Sequence, residues 1–589
     1  MDHVADRHSS ELERLAARVT ELERRLSALE IGKTTVVPEV ISLAAPLAAA
    51  TGQQTDNKAS TPISLVAIVG RSLLGLAGAY MLRAAFELGV APGLVIVAIA
   101  LLFAWAWLIL SVRAAKRSEM AGTLYGITSS LIIFPMLWEN AVRFKFLSAI
   151  VTAAVLVAWH FSALFLVRRP VPAMTLWVTT LFVAGSGLGL FVATRDPFPF
   201  TLALIVSAAL TEYAACYERK PHLRIAVELV LDLVLCVLAY LASRPGGFPV
   251  EYNAISIPVM LVLFMAPLLI SASSIAYRTI LLHSRSGLWD ITQSCTTFAL
   301  ACWAVLHLGG SAGARIFGLL GFLTAVICYL EGFLNSRIRT NSWNFRFYTM
   351  WAGALFLVST YLVLPASVVT LWLCLSAIMA AALALRTTCI ILGIHGLIWL
   401  VVVESTSGLL VYSGHLLAGS YPHFAPHMLW AGVMSSVVFA LILLLPEIDG
   451  RGIALLRCFS VANAALLVGA FGVAAVIMAT PGGTSASAPR LGVIRTVVIC
   501  LVTLTLALAG SRRSRRELIW VAYLTIGLGT LKLLLEDLRQ GSSVSFAVSL
   551  LAFGMLLAII PKLMRSEGPK NALARSRLGI HKRRADFDA

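Results

Sequence analysis

The sequence predicts an all-α fold, a polytopic transmembrane helical bundle of about eighteen spans preceded by a short N-terminal cytoplasmic coiled-coil helix. Three observations predict it. Apolar stretches of about twenty residues, the length that crosses a bilayer as a helix, recur from Pro62 onward. Of 589 residues, 59% are hydrophobic and only 13% charged, with a mean hydropathy of +0.88; a soluble domain carries about a quarter charged residues, so a soluble globule of this size is excluded. Basic residues gather in every second loop, the bias of a multi-pass chain toward its cytoplasmic side.

Residues 1–30 read as a coiled-coil or amphipathic helix. Leu12, Leu15, Val19, Leu22, Leu26 and Leu29 form an a/d heptad seam. Arg18 and Arg25 fall at g and Glu23 and Glu30 at the following e, opposite in sign across a parallel pair. The seam is a candidate surface for homo-oligomer formation. Its brevity leaves open a single helix lying on the protein or the bilayer. No apolar core of a signal peptide is present in this segment, so it is expected to be retained. Residues 31–61, with Pro38, Pro46, Gly52 and a polar run, read as a flexible linker.

The multi-span domain covers 62–561. It opens with a hairpin, Pro62–Leu82 and Ala91–Val112, stopped by Arg113, Lys116 and Arg117. Further spans are expected at 119–138, 146–167, 173–193, 197–216, 223–243, 253–276, 289–308, 314–331, 347–364, 367–385, 387–404, 427–445, 452–479, 490–509, 517–536 and 543–561, with 408–418 a further half-span. The alternate loops, from Arg113 through Arg168, Arg224, Arg278, Arg337, Arg386 and Arg451 to Arg516, hold roughly nineteen Lys and Arg against about eight in the other set. That asymmetry, and the basic tail 562–589, predict both termini on the cytoplasmic side of a cell membrane. The net charge of +17 is explained by the same bias, and no basic soluble module is present to bind nucleic acid. The nine cysteines fall in or beside apolar spans without a Cys-x-x-Cys pair, as small packing residues do.

Ionisable residues within spans are costly and mark candidate sites. Arg71, Glu228 and Asp232 are the candidates for a transport site. Arg71 and Asp232 lie at similar depth in their spans, and Glu228 shares a helix face with Asp232. A structural ion pair between Arg71 and Asp232 is the alternative. His160 and His395 read as packing residues, and Lys532 with Glu536 as a local ion pair near a helix end. The loop 404–427 is the candidate enzyme site, with Glu404, His415, His423 and His427 as acid–base groups on the outer face; the alternative, which the residues favour, is a re-entrant or interfacial loop anchored by aromatic and histidine side chains. Pro422 and Pro426 interrupt the helix that a two-histidine zinc face needs, and no nucleotide, haem or zinc spacing is found, so no cofactor or metal is expected. The small-residue patches at Gly75 and Ala79, and at Gly185, Gly187 and Gly189, are read as close helix packing.

The charged N-terminal helix, the linker, the first span Arg71-Ser-Leu-Leu-Gly-Leu-Ala-Gly-Ala-Tyr-Met-Leu-Arg83 and the turn Glu87-Leu-Gly-Val-Ala-Pro92 resemble the large bacterial multi-pass proteins classed as domain of unknown function 2339, over residues 10–170. The resemblance implies this architecture in a bacterial inner membrane; it implies no activity and no catalytic residues. The first functional expectation is therefore a non-enzymatic membrane protein, structural or transport-like, that self-associates through its N-terminal seam. The others are an enzyme acting on envelope lipid or saccharide at 404–427, and a scaffold whose cytosolic helix recruits a partner.

Overall fold

A computed structural model describes residues 62–166, 173–218, 222–335, 342–418, 425–445, 451–480, 488–513, 515–538 and 543–565. The heptad seam of Leu12, Leu15, Val19, Leu22, Leu26 and Leu29, the linker and the basic tail lie outside these. The opening hairpin is α1 (Pro62–Glu87) and α2 (Gly93–Ala115). There follow α3 (Glu119–Trp138), α4 (Ala149–Leu166), α5 (Ala173–Thr194), α6 (Pro197–Glu218), α7 (Leu223–Ala242), α8 (Ile257–Ala276), α9 (Leu288–Leu308) and α10 (Gly310–Leu334). The second half comprises α11 (Ser342–Val363), α12 (Ala366–Thr387), α13 (Ile390–Thr406), α14 (Leu409–Ala418), α15 (Pro426–Leu443), α16 (Arg451–Ala479), α17 (Ala488–Arg513), α18 (Arg516–Lys532) and α19 (Ser543–Arg565). π-turns extend α3, α8 and α18 through Glu139–Arg143, Tyr277–Leu281 and Leu533–Asp537. Among the described residues there is no β-strand. Helices satisfy their own backbone polar groups, which a lipid interior demands.

Fourteen described helices are long and apolar enough to cross a membrane, and fifteen if the bent pair α13–α14 is one crossing. The protein is a multi-pass helical membrane protein. The expected spans 62–82, 146–167 and 347–364 are helical, as α1, α4 and α11, but are not among those fourteen.

Packing follows chain order. Leu108, Ile133, Leu156 and Trp159 centre a core among α2–α5. Phe191, Phe200, Leu235 and Phe264 centre the next, among α5–α8. Leu373, Leu400, Val438 and Ile442 join α12, α13 and α15, and Leu416 and Val473 carry the core on to α14 and α16. Small residues let the helices close up: a Cβ on Gly75 would collide with the Trp107 ring, and one on Gly187 with Leu204.

The structure corrects the reading of 404–427 as an outer loop. The helix expected to end at residue 404 continues to Thr406, breaks at Ser407–Gly408 and restarts as α14, turned by 72°. Gly408 makes the break: its φ is +78°, a conformation that side chains with a Cβ resist. The half-helix after it folds inward, burying Leu409, Tyr412 and Leu416. Gly408→Ala is expected to destabilise the protein by about 1 kcal/mol, because alanine must adopt the same left-handed backbone. Thermal unfolding in detergent checks this; an unchanged midpoint would show that the turn does not need glycine.

Candidate functional site

Among the described residues, two buried polar assemblies take up the sequence candidates Glu228, Asp232 and Glu404. The first joins α6, α7, α8 and α9. Glu212 stands near the end of α6, Arg224 in the first turn of α7, Arg278 in the π-turn after α8, and Asp290 in the first turn of α9. Arg224 Nη1 donates to Glu212 Oε1 (3.0 Å), and its Nη2 pairs with Asp290 Oδ1 (2.6 Å). Arg278 Nη2 donates to the same Asp290 oxygen (2.9 Å) and stands 3.6 Å from Glu212 Oε2. Ser274 Oγ donates to Glu212 Oε2 (2.5 Å), and the Gly287 amide donates to Asp290 Oδ2 (2.7 Å). Two guanidiniums and two carboxylates thus close on each other, each at most 9% exposed or less. The sequence reading counted Arg224 and Arg278 as loop cations; the structure places both inside the bundle.

Glu228 and Asp232 continue this assembly one and two turns along α7. Both are buried, at 3% and 9% exposure. Trp289 Nε1 donates to Glu228 Oε2, whose carboxyl also faces Glu212 and Arg224, and Gln293 Nε2 donates to Asp232 Oδ1 (3.2 Å). The expected Arg71–Asp232 pair does not form. Arg71 is exposed on α1, which packs on the aromatic rings of α2, and Asp232 turns to α9.

The second assembly surrounds the α13 break. Glu404, four residues before Gly408, is fully buried. Its Oε2 accepts a 2.6 Å hydrogen bond from Asn463 Nδ2 of α16. Its Oε1 is met by the Ser435 hydroxyl of α15, in a looser geometry than a regular hydrogen bond. Ser460, one turn before Asn463, is fully buried and unbonded. Asn463 and Ser435 lie in the middle turns of α16 and α15, so the carboxylate sits at mid-depth in the bundle, not at its outer edge. At the break itself, His427 Nε2 donates to the Ser407 carbonyl (3.1 Å).

Of the four residues expected to form an acid–base site, the three described ones, Glu404, His415 and His427, do not assemble. His415 and His427 are exposed, and neither shares a hydrogen bond or ion pair with Glu404. His423 lies outside the described residues. No cluster of three or more metal-ligating His, Cys, Asp or Glu occurs among the described residues. His395 packs as expected, stacked on Trp399 and bonded through Nδ1 to Tyr329 Oη (2.9 Å). His160 is buried without a hydrogen-bond partner. Lys532 and Glu536 belong to a larger network than a local pair: Lys532 bonds Asp537 (2.5 Å) and Arg495 of α17 bonds Glu536 (2.5 Å).

Sequence reasoning missed Glu212, Asp290, Ser435, Ser460 and Asn463. Asn463 carried a signal, an amide in the middle of an otherwise apolar span. So did Ser405-Thr-Ser-Gly408, a polar interruption of an apolar run.

Arg224→Gln leaves Glu212 with a weaker partner and Asp290 with only Arg278, so a loss of about 3–5 kcal/mol is expected. Combining it with Glu212→Gln should recover a measurable part of that loss. Unfolding midpoints of the single and double variants decide it; equal loss in both would mean that the pair is not coupled. No protein-family model, curated protein or solved structure matches this chain.

Proposed function

We propose that the protein is a cation-coupled membrane transporter whose coupling ion, a proton or sodium, binds at Glu404 beside the break between α13 and α14. One observation carries the reading: a buried carboxylate at mid-depth, with no cation beside it among the described residues and one oxygen met only loosely by a serine hydroxyl, stands one turn before a broken helix. Discontinuous helices with side-chain and backbone oxygens at their breaks are how transporters build ion sites. The oxygens that meet here, the Glu404 carboxylate and the Ser435 hydroxyl on the neighbouring α15, are the hard ligands that a proton or small hard cation takes. The Asn463 amide holds the carboxylate in place by its other oxygen.

Glu228 and Asp232 support the same reading. The α6–α9 assembly holds four carboxylates against two guanidiniums, an imbalance that a bound cation or proton offsets. Its closed part, Arg224 and Arg278 with Glu212 and Asp290, serves as the fixed frame.

The finer architecture belongs to this proposal too. Adding α1, α4, α11 and the bent pair to the fourteen apolar helices gives about eighteen crossings, with both termini cytoplasmic. The N-terminal seam then serves self-association in the cytoplasm, in a protein like those of domain of unknown function 2339.

Ion binding is read directly, without knowing the substrate, from charge displacement in proteoliposomes adsorbed on a solid-supported membrane. A sodium or proton concentration jump is expected to give a transient current in the wild type. Glu404→Gln, shown by its unfolding midpoint and elution profile to be folded, should abolish it. A wild type silent to both ions, or a variant with undiminished current, would overturn the proposal. Which of the two jumps produces current identifies the ion.

A further inference from the structure

A second site lies at the opposite end of the sequence, between α1, α2 and α3. A cavity of about 100 Å³ there is apolar along most of its length, lined by Leu76, Val97, Ala100 and Ile132. Two more lining residues, Tyr80 and Leu131, are exposed and mark its mouth. The other end is polar. Arg83 of α1 pairs there with Glu139 (2.9 Å), and Glu87 stands 3.4 Å from Arg83 and 3.7 Å from Arg143. Two cations and two anions pair there, and the exposed Lys145, between Phe144 and Phe146, adds a third cation beside them.

One group there is unsatisfied. Asn140, in the π-turn after α3, is 5% exposed and lines the cavity. Its amide Nδ2 donates to the Met136 carbonyl (2.8 Å), but its Oδ1 accepts nothing. A buried amide oxygen left without a donor costs about 1–3 kcal/mol. A ligand bearing a donor recovers that cost.

From this we infer that the cleft holds one membrane phospholipid with a primary ammonium head group. The ammonium donates to Asn140 Oδ1 and stands beside the Glu139 carboxylate. Both α1 and α3 end here with their carbonyl-rich C-termini, which favour positive charge. The phosphate faces Arg83 and Arg143, and part of one acyl chain fills the apolar length. The Phe86, Phe144 and Phe146 rings cluster at the same end (4.5 and 5.3 Å between centroids), as aromatic side chains do at head-group level. The Glu139 carboxylate and the open acceptor of Asn140 together favour a head group with an ammonium, and the acceptor selects N–H over a quaternary ammonium.

Native mass spectrometry of the full chain, exchanged into single synthetic lipids, tests this. Phosphatidylethanolamine is expected to be retained at least about tenfold better than phosphatidylcholine, in which three N-methyl groups replace the N–H donors. Asn140→Leu should remove that preference, while Asn140→Asp, which keeps an acceptor, should preserve it. Ala100→Leu, which fills the apolar end, should reduce retention of phosphatidylethanolamine. Equal retention of the two lipids, stronger retention of phosphatidylglycerol, or an unchanged preference in Asn140→Leu would overturn the inference. If Asn140→Leu fails to fold, the lipid comparison in the wild type and in Ala100→Leu decides alone.

Discussion

A lipid interior offers no hydrogen bonds, so every charge carried into it must find its partner within the protein. That constraint organises the described bundle. Where α6, α7, α8 and α9 meet, two arginines and two acids satisfy one another. Where α17 meets α18, Arg495 and Lys532 do the same with Glu536 and Asp537. These closed sets hold helices in register. Several buried groups stay incompletely satisfied, among them Arg278 Nε, Glu536 Oε2 and both ring nitrogens of His160, and two more stand at the proposed sites. Glu404 is buried with one oxygen bonded and the other met only loosely, and Asn140 is buried with its acceptor open. The functional reading rests on the first and the lipid site on the second.

Irregular helix geometry recurs at these places. The π-turns after α3, α8 and α18 carry Asn140, Arg278 and Asp537, and the break after α13 follows Glu404 by one turn. A π-turn or a break re-aims side chains and frees carbonyls, so polar groups can face one another across helices that are otherwise apolar.

The helical, multi-pass character was legible because it depends on residue composition and segment length, and both can be read in one dimension. The hairpin of α1 and α2 and the limits of α7 and α16 fall within a few residues of expectation. The sites were less legible because partners lie far apart in sequence. Asp232 sits 61 residues from Gln293, and Glu404 sits 59 residues from Asn463. Apolar spans look alike, and nothing in one span names its neighbour. So Asp232 was matched to Arg71 by depth alone, whereas helix adjacency gives it Gln293. Glu404 reads from the sequence as a surface residue, because a run of Ser and Thr before a glycine reads as a loop when the helix beyond it is short, whereas the fold buries it.

The central claim is that Glu404 holds a cation at mid-depth. Infrared difference spectra of the reconstituted protein report on that carboxyl group directly. Exchanging sodium for choline, or stepping pH, should produce a carboxyl band change that is present in the wild type and missing in Glu404→Gln. Spectra that do not respond to either exchange, or that respond identically with and without the Glu404 carboxylate, would contradict it.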